Sequence, residues 1–546
     1  MLKRTAATAV LAAMFASGAL AGIPAQSVLK AYLSRRSGDF AGSAEHLRTA
    51  LKADPQSIEL RIKLVRILMV FGEPDQGIGI LDEGLKLNPD NPELLFEKAK
   101  TLVVAGRNAE AAESALLSAE KGGRDNSYSL AVRLLANAGR TDKALEVAGK
   151  WIEGKPQSPA DAYYERASVF LRLGEIGKAT ADMTKVLELN PDHPQALEVM
   201  ASISAQNKDR ATALKYYEKL IRLNVHNAQA RLAMAQLLLD DNRVEEARKA
   251  TAEAERFVGS DPGDRLRLGL LYLQANQPEK SLINLEQIPE DARDARSWFF
   301  LGLVYSETGK FEAALKAFEK VDQASPLYDD MLLRKATALK ETGKKEEALE
   351  LLKNLKNKLP DNPEVVLALC AMLQSLDRPK EGLALLQDFY TSHQDIKEPG
   401  FFFSLGTLYD KLGDWEKSVE LMKRVIELNP DDAHALNYLG YTWAEHGLNL
   451  VEAEAMVKKA IRLLPLNGYI VDSLGWVYFK QGKFAEAVRE LEGAVALSAE
   501  DAIIWEHLGD ARSKAGDREG AKKAYEKSLS LDPPGKTVGK KLEELR

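Results

Sequence analysis

The chain has 546 residues, 45% hydrophobic and 28% charged, with a formal net charge of −7. That balance excludes wholesale disorder and an integral membrane class, and its acidity argues against nucleic acid as a partner, because phosphate backbones need a strong basic face. One cysteine, Cys370, excludes an internal disulfide, and seven histidines without a closely spaced ligand pair give no reason to expect a metal ion or any other cofactor.

In chain order, Lys3 and Arg4 come first, followed by an uncharged stretch from Thr5 to Leu20 and then Ala19-Leu20-Ala21 before Gly22. This is the layout of a secretory signal peptide over residues 1–21, with cleavage after Ala21. The apolar stretch falls short of the roughly 20 residues needed to span a bilayer, and no later segment reaches that length. The expectation is an exported protein, periplasmic in a bacterium, with no integral membrane segment after cleavage.

From Pro24 onward the sequence repeats every 34 residues, each unit reading as two amphipathic helices, A and B, separated by turns. Copies begin near residues 24, 58, 92, 125, 160, 194, 228, 262, 295, 329, 363, 399, 433, 468 and 502, which makes fifteen. Unit position 8 is Gly, Ala or Cys in thirteen of them, as at Ala99, Cys370 and Gly509, and position 20 is always Gly, Ala or Ser. Small residues there let two helix backbones approach. Gly recurs at position 15, from Gly38 to Gly516, as a helix C-cap would. Prolines such as Pro89, Pro191 and Pro430 close the B helices. In the copy starting at Ala433, one extra residue in the Gly447–Leu450 turn displaces the later positions by one.

These features resemble the tetratricopeptide repeat family over nearly the whole chain. The resemblance implies an all-α, right-handed superhelical solenoid of about fifteen 34-residue repeats, with a concave groove formed mainly by the A helices. Each helix pair can bury its apolar faces only against its neighbours. Three groups are expected, residues 24–261, 262–398 and 399–535, with residues 536–546 as a C-terminal capping helix. Weaker units near 106–130, 254–265, 285–295 and 390–398 mark places where the superhelix can bend.

No nucleotide-binding, nucleophile-elbow, zinc-protease or CxxC motif occurs, so a non-enzymatic chain is expected. Cys370 sits at position 8, where a small buried residue suffices. The resemblance places positions 5, 9 and 12 of helix A in the groove, where two sets of candidate binding residues stand out. Arg66, Lys100 and Arg133 form a basic ladder at position 9, suited to an acidic peptide unless each pairs with a carboxylate such as Glu59 or Glu93. Phe403, Tyr441, Trp476 and Phe479 would be exposed aromatic anchors near the C-terminus. No repeat has the Lys/Asn pair of chaperone-binding relatives, nor the position-6 Asn of sugar-transferase relatives. The expected role is a protein–protein interaction scaffold of the bacterial cell envelope, binding peptide or helical segments, with an envelope export or assembly complex as the expected setting. The alternative is a carbohydrate-binding solenoid.

Overall fold

The protein was examined as a computed structural model, which describes residues 23–533 and 536–545. The expected leader lies outside these residues. Every described element is helical. The A helices begin at Ile23, Ile58, Pro92, Asp125, Pro159, Pro194, Ala228, Pro262, Ala295, Tyr328, Pro363, Pro399, Ala433, Gly468 and Ala502, each within one residue of a repeat start read from the sequence.

Local chemistry explains these boundaries. Asn91 caps its helix by accepting from the backbone N–H of Leu94 at 3.0 Å, and Asp432 does the same for Ala435 at 2.9 Å. Proline at the first helical position, as at Pro92 and Pro363, costs no hydrogen bond because that N–H has no partner in the helix. The A–B turn is stricter than the glycine pattern suggested. Position 15 adopts a left-handed backbone in all fifteen repeats, through Gly in eleven and through Lys208, Asn242, Asn276 and Asp377 in the others. Asn and Asp tolerate that region better than most residues, whereas lysine has no such preference.

Close packing within each pair rests on position 8, buried in every repeat. A Cβ added at Gly509 would lie 2.4 Å from the ring of Tyr525, and one at Gly302 would lie 2.4 Å from Phe318. Both rings occupy position 24 of the facing B helix. At Val132 the larger position 8 faces a small position 24, Ala148, whereas Val65 faces Leu81 and Ala99 faces Ala115, all of them buried, so the fit is made pair by pair.

The chain divides by its contacts after Asn276, in the A–B turn of repeat 8. Within each half, neighbouring repeats meet where a B helix packs on the next A helix and where successive A helices touch. Several neighbouring A helices are therefore in direct contact within each half. Near 285–295 the B helix is cut to Pro278–Glu286 and followed by a single 3-10 turn, Glu290–Ala292, because Pro289 cannot continue the helix. After repeat 15, helix Lys536–Glu544 packs Val538, Leu542 and Leu545 against Ala521 and Tyr525.

Two substitutions probe these constraints with opposite expected signs. Gly509→Val should destabilise the last repeat by about 1–3 kcal/mol, since the Tyr525 ring has to move. Lys208→Gly should stabilise repeat 6 by about 1 kcal/mol by relieving a left-handed backbone. Amide hydrogen exchange resolved by repeat checks both.

Candidate functional site

The A-helix face is built from side chains that bridge one repeat to the next. In the N-terminal half, Arg66 meets Glu97 at 2.5 Å and Lys100 meets the same carboxylate at 2.8 Å. Arg133 lies 3.4 Å from Glu165, which also accepts a 2.7 Å hydrogen bond from Ser129. The basic ladder is therefore paired, but not with Glu59 or Glu93. Glu59 pairs with Lys63 at 2.6 Å, and Glu93 lies 3.9 Å from Arg124. The true partners, Glu97 and Glu165, occupy position 6 of the next A helix and are buried. Arg66 and Arg133 reach forward to position 6 of the next repeat, whereas Lys100 turns back to position 6 of its own helix.

The same rung organises the C-terminal half. Helix Gly468–Lys480 is buried continuously from Ile470 to Tyr478. The Trp476 ring stacks on His507 at 4.1 Å and on Phe479 at 4.8 Å. Its indole N–H donates to Glu445 at 2.6 Å, and the Lys480 ammonium lies 5.1 Å from the ring. His507 in turn donates through Nδ1 to Asp472 at 2.9 Å. Trp476 is only 8% exposed. The exposed ring expected at this position is instead covered, because position 6 of the next repeat supplies a flat imidazole to stack on.

The other three aromatic candidates are half-buried. Phe403 packs edge-on against Tyr438 at 6.1 Å, and Phe479 packs edge-on against Phe484 at 5.7 Å. The Tyr438 hydroxyl donates to Asp410 at 2.5 Å. Burial and the charges of Glu445, Asp472 and Asp410 push the Tyr441 phenol up to about 12. Burial opposes the charge on Glu445, yet the Trp476 N–H and Lys480 hold its carboxyl below the usual range. Half-exposed rings thus alternate with carboxylates along the face. Lys541 extends the pattern by reaching Glu506 and Asp510, each at 2.7 Å.

Glu97, Glu165, Asp410, Glu445, Asp472 and His507 do not stand out in the groove positions read from the sequence alone. A usable signal was present, since Arg66 to Glu97, Glu445 to Trp476 and Trp476 to His507 are each separated by 31 residues. Cys370 is fully buried, and that burial pushes its thiol up, away from the reactive thiolate. Among the described residues, no three His, Cys, Asp or Glu side chains converge as a metal site, and no helix is long and apolar enough to cross a membrane.

Burial raises the Glu165 carboxyl, against the opposing pull of Ser129 and Arg133. An acid raised on folding weakens the fold once it ionises, so the penalty is absent below the unfolded value and grows as pH rises through that value to the folded one. Glu165→Gln should therefore gain stability over the parent at neutral pH and lose that advantage in acid. Urea titrations at several pH values check the crossover.

Three models described as tetratricopeptide repeat match the chain. One covers residues 34–93 and 306–373, the second residues 200–264, 266–329, 403–467 and 473–536, and the third residues 160–193. TPR repeat-containing protein PA4667 of Pseudomonas aeruginosa is 36% identical over 108 residues, covering 20% of this chain and 18% of that protein. Protein O-mannosyl-transferase TMTC1 of Homo sapiens is 24% identical over 221 residues, covering 40% and 25%. The chain therefore spans only about a fifth to a quarter of the length of these relatives. The solved structure of the APC/C hetero-tetramer Cut9-Hcn1 aligns over 90% of this chain and 96% of its own at 16% identity, with a TM-score of 0.43. Proteins built from such repeats generally serve as protein–protein interaction scaffolds, and the models together match well over half of the residues: the chain belongs to the tetratricopeptide repeat family.

Proposed function

We propose that the chain is a non-enzymatic scaffold of the bacterial cell envelope, exported by its leader, which holds peptide or helical segments of other proteins on its A-helix face. The observation that carries this reading is the alternation of half-exposed Phe403, Tyr441 and Phe479 with the carboxylates of Asp410 and Glu445. Binding needs a surface whose side chains are ordered before the partner arrives. The hydrogen bonds from Tyr438 to Asp410 and from Trp476 to Glu445 supply that order. Partly exposed rings beside carboxylates also suit sugar faces and hydroxyls, which favours a carbohydrate ligand as the second reading.

In-cell photo-crosslinking tests the proposal. A photoreactive residue at Tyr441 should capture one or a few envelope proteins, while one at Arg489, on a B helix, should not. Phe403→Ala should reduce capture at Tyr441 without loss of helicity or abundance. Equal capture at both positions, or none at Tyr441, refutes a binding role for this face. Retention on a glycan array, with no protein captured, selects the carbohydrate reading.

A further inference from the structure

The fifteen repeats supply their own internal comparison. Position 13 of the A helix is polar or charged in thirteen copies, from Arg36 to Lys514, and apolar only at Val70 and Val104. These two lie in consecutive repeats and are 64% and 62% exposed. Single exposed valines are ordinary, but here two occupy one register on adjacent A helices. One turn back on the same face are Arg66 and Lys100, and one turn further back are Ile62 and Phe96. Repeats 2 and 3 thus each present an apolar, a cationic and an apolar side chain at four-residue spacing, along a single helix face.

The charge balance is uneven. Arg66 and Lys100 share the one buried carboxylate of Glu97, and the Arg66 side chain remains 62% exposed. Arg133 continues the cationic row at a looser 3.4 Å from Glu165. The Lys100 ammonium lies 5.1 Å from the Phe96 ring, which leaves that ring partly covered by cation. Between these helices a cavity of about 390 Å³ is lined by Ile62, Phe96, Arg66, Glu97 and Arg124, and also by Glu93, which lies 3.9 Å from Arg124. Lys100 neutralises Glu97 on its own, so Arg66 can turn to a second carboxylate without stranding a buried charge. The Arg66 end of this pair is the exposed one, and a guanidinium binds a carboxylate through two parallel hydrogen bonds.

We propose that the A-helix face of repeats 2 to 4 binds an acidic peptide segment of a protein partner, one whose carboxylates are interspersed with apolar side chains. The carboxylates meet Arg66 and Arg133, while Lys100 stays on Glu97. The apolar side chains lie over Val70 and Val104 and enter the cavity between Ile62 and Phe96. This deepens the scaffold reading and rests on it, with charge complementarity choosing the occupant. A phosphate backbone would use the same cations but leave both apolar rows unmatched.

Fluorescence anisotropy on the full chain tests the assignment, using three short labelled peptides and a single-stranded oligonucleotide. The peptides alternate glutamate with leucine, glutamate with serine, and lysine with leucine. The glutamate–leucine peptide should bind more tightly than the other three probes. Its affinity should fall about tenfold in Arg66→Gln, which leaves Lys100 on Glu97, and in Val70→Asp/Val104→Asp, with folding of both variants checked by circular dichroism. Equal binding of the glutamate–serine peptide, preferred binding of the oligonucleotide, or unchanged affinity in either variant overturns the proposal. Crosslinking at Tyr441 is unaffected by these substitutions if the scaffold reading holds, so failure here with capture retained there separates the two.

Discussion

A pair of short helices has more apolar surface than it can cover alone, and that shortage governs the rest of the molecule. Each pair leaves one side for its predecessor and one for its successor, and stability comes from nearest-neighbour contact. The contact has little room. Gly509 against Tyr525 and Val132 against Ala148 show two ways of filling the same space.

Once successive pairs are held at a fixed spacing, side chains of the A helices bridge one pair to the next. In three repeats position 9 reaches position 6 of the next one, at Arg66, Arg133 and Trp476. The rung is an ion pair between Arg66 and Glu97 and an aromatic stack between Trp476 and His507. Rungs hold the face in one arrangement, and what they leave exposed differs between the halves. Cations and valines are uppermost in repeats 2 and 3, whereas half-buried rings and carboxylates are uppermost in repeats 12 to 14.

The repeat starts, the small-residue slots and the glycine turns were legible because each follows from backbone geometry, which recurs every 34 residues. The state of the groove residues was harder to read. Trp476 has the position of an exposed anchor, and only His507, 31 residues later, covers it. The partners of Arg66 and Arg133 were missed for the same reason, since a column of position-9 residues was read without the position-6 column of the following repeat. The four non-glycine residues in the left-handed turns were also invisible as turn residues. Local backbone hydrogen bonds, from the Lys208 N–H to Ala205 and from the Asp209 N–H to Ser204, hold Lys208 in that conformation, towards which it has no intrinsic tendency.

The repeat at Ala433 is one residue longer than its neighbours, and Asn449 takes a second left-handed conformation in the enlarged turn. Beyond it, Ala453 is again fully buried, as the small residue at this slot should be. An extra residue inside a helix would rotate every later side chain by about 100° and turn the buried stripe towards water. In the turn it changes nothing downstream. The A–B turns thus act as expansion joints: the array tolerates changes of length there, and the phase of both helices is preserved on either side.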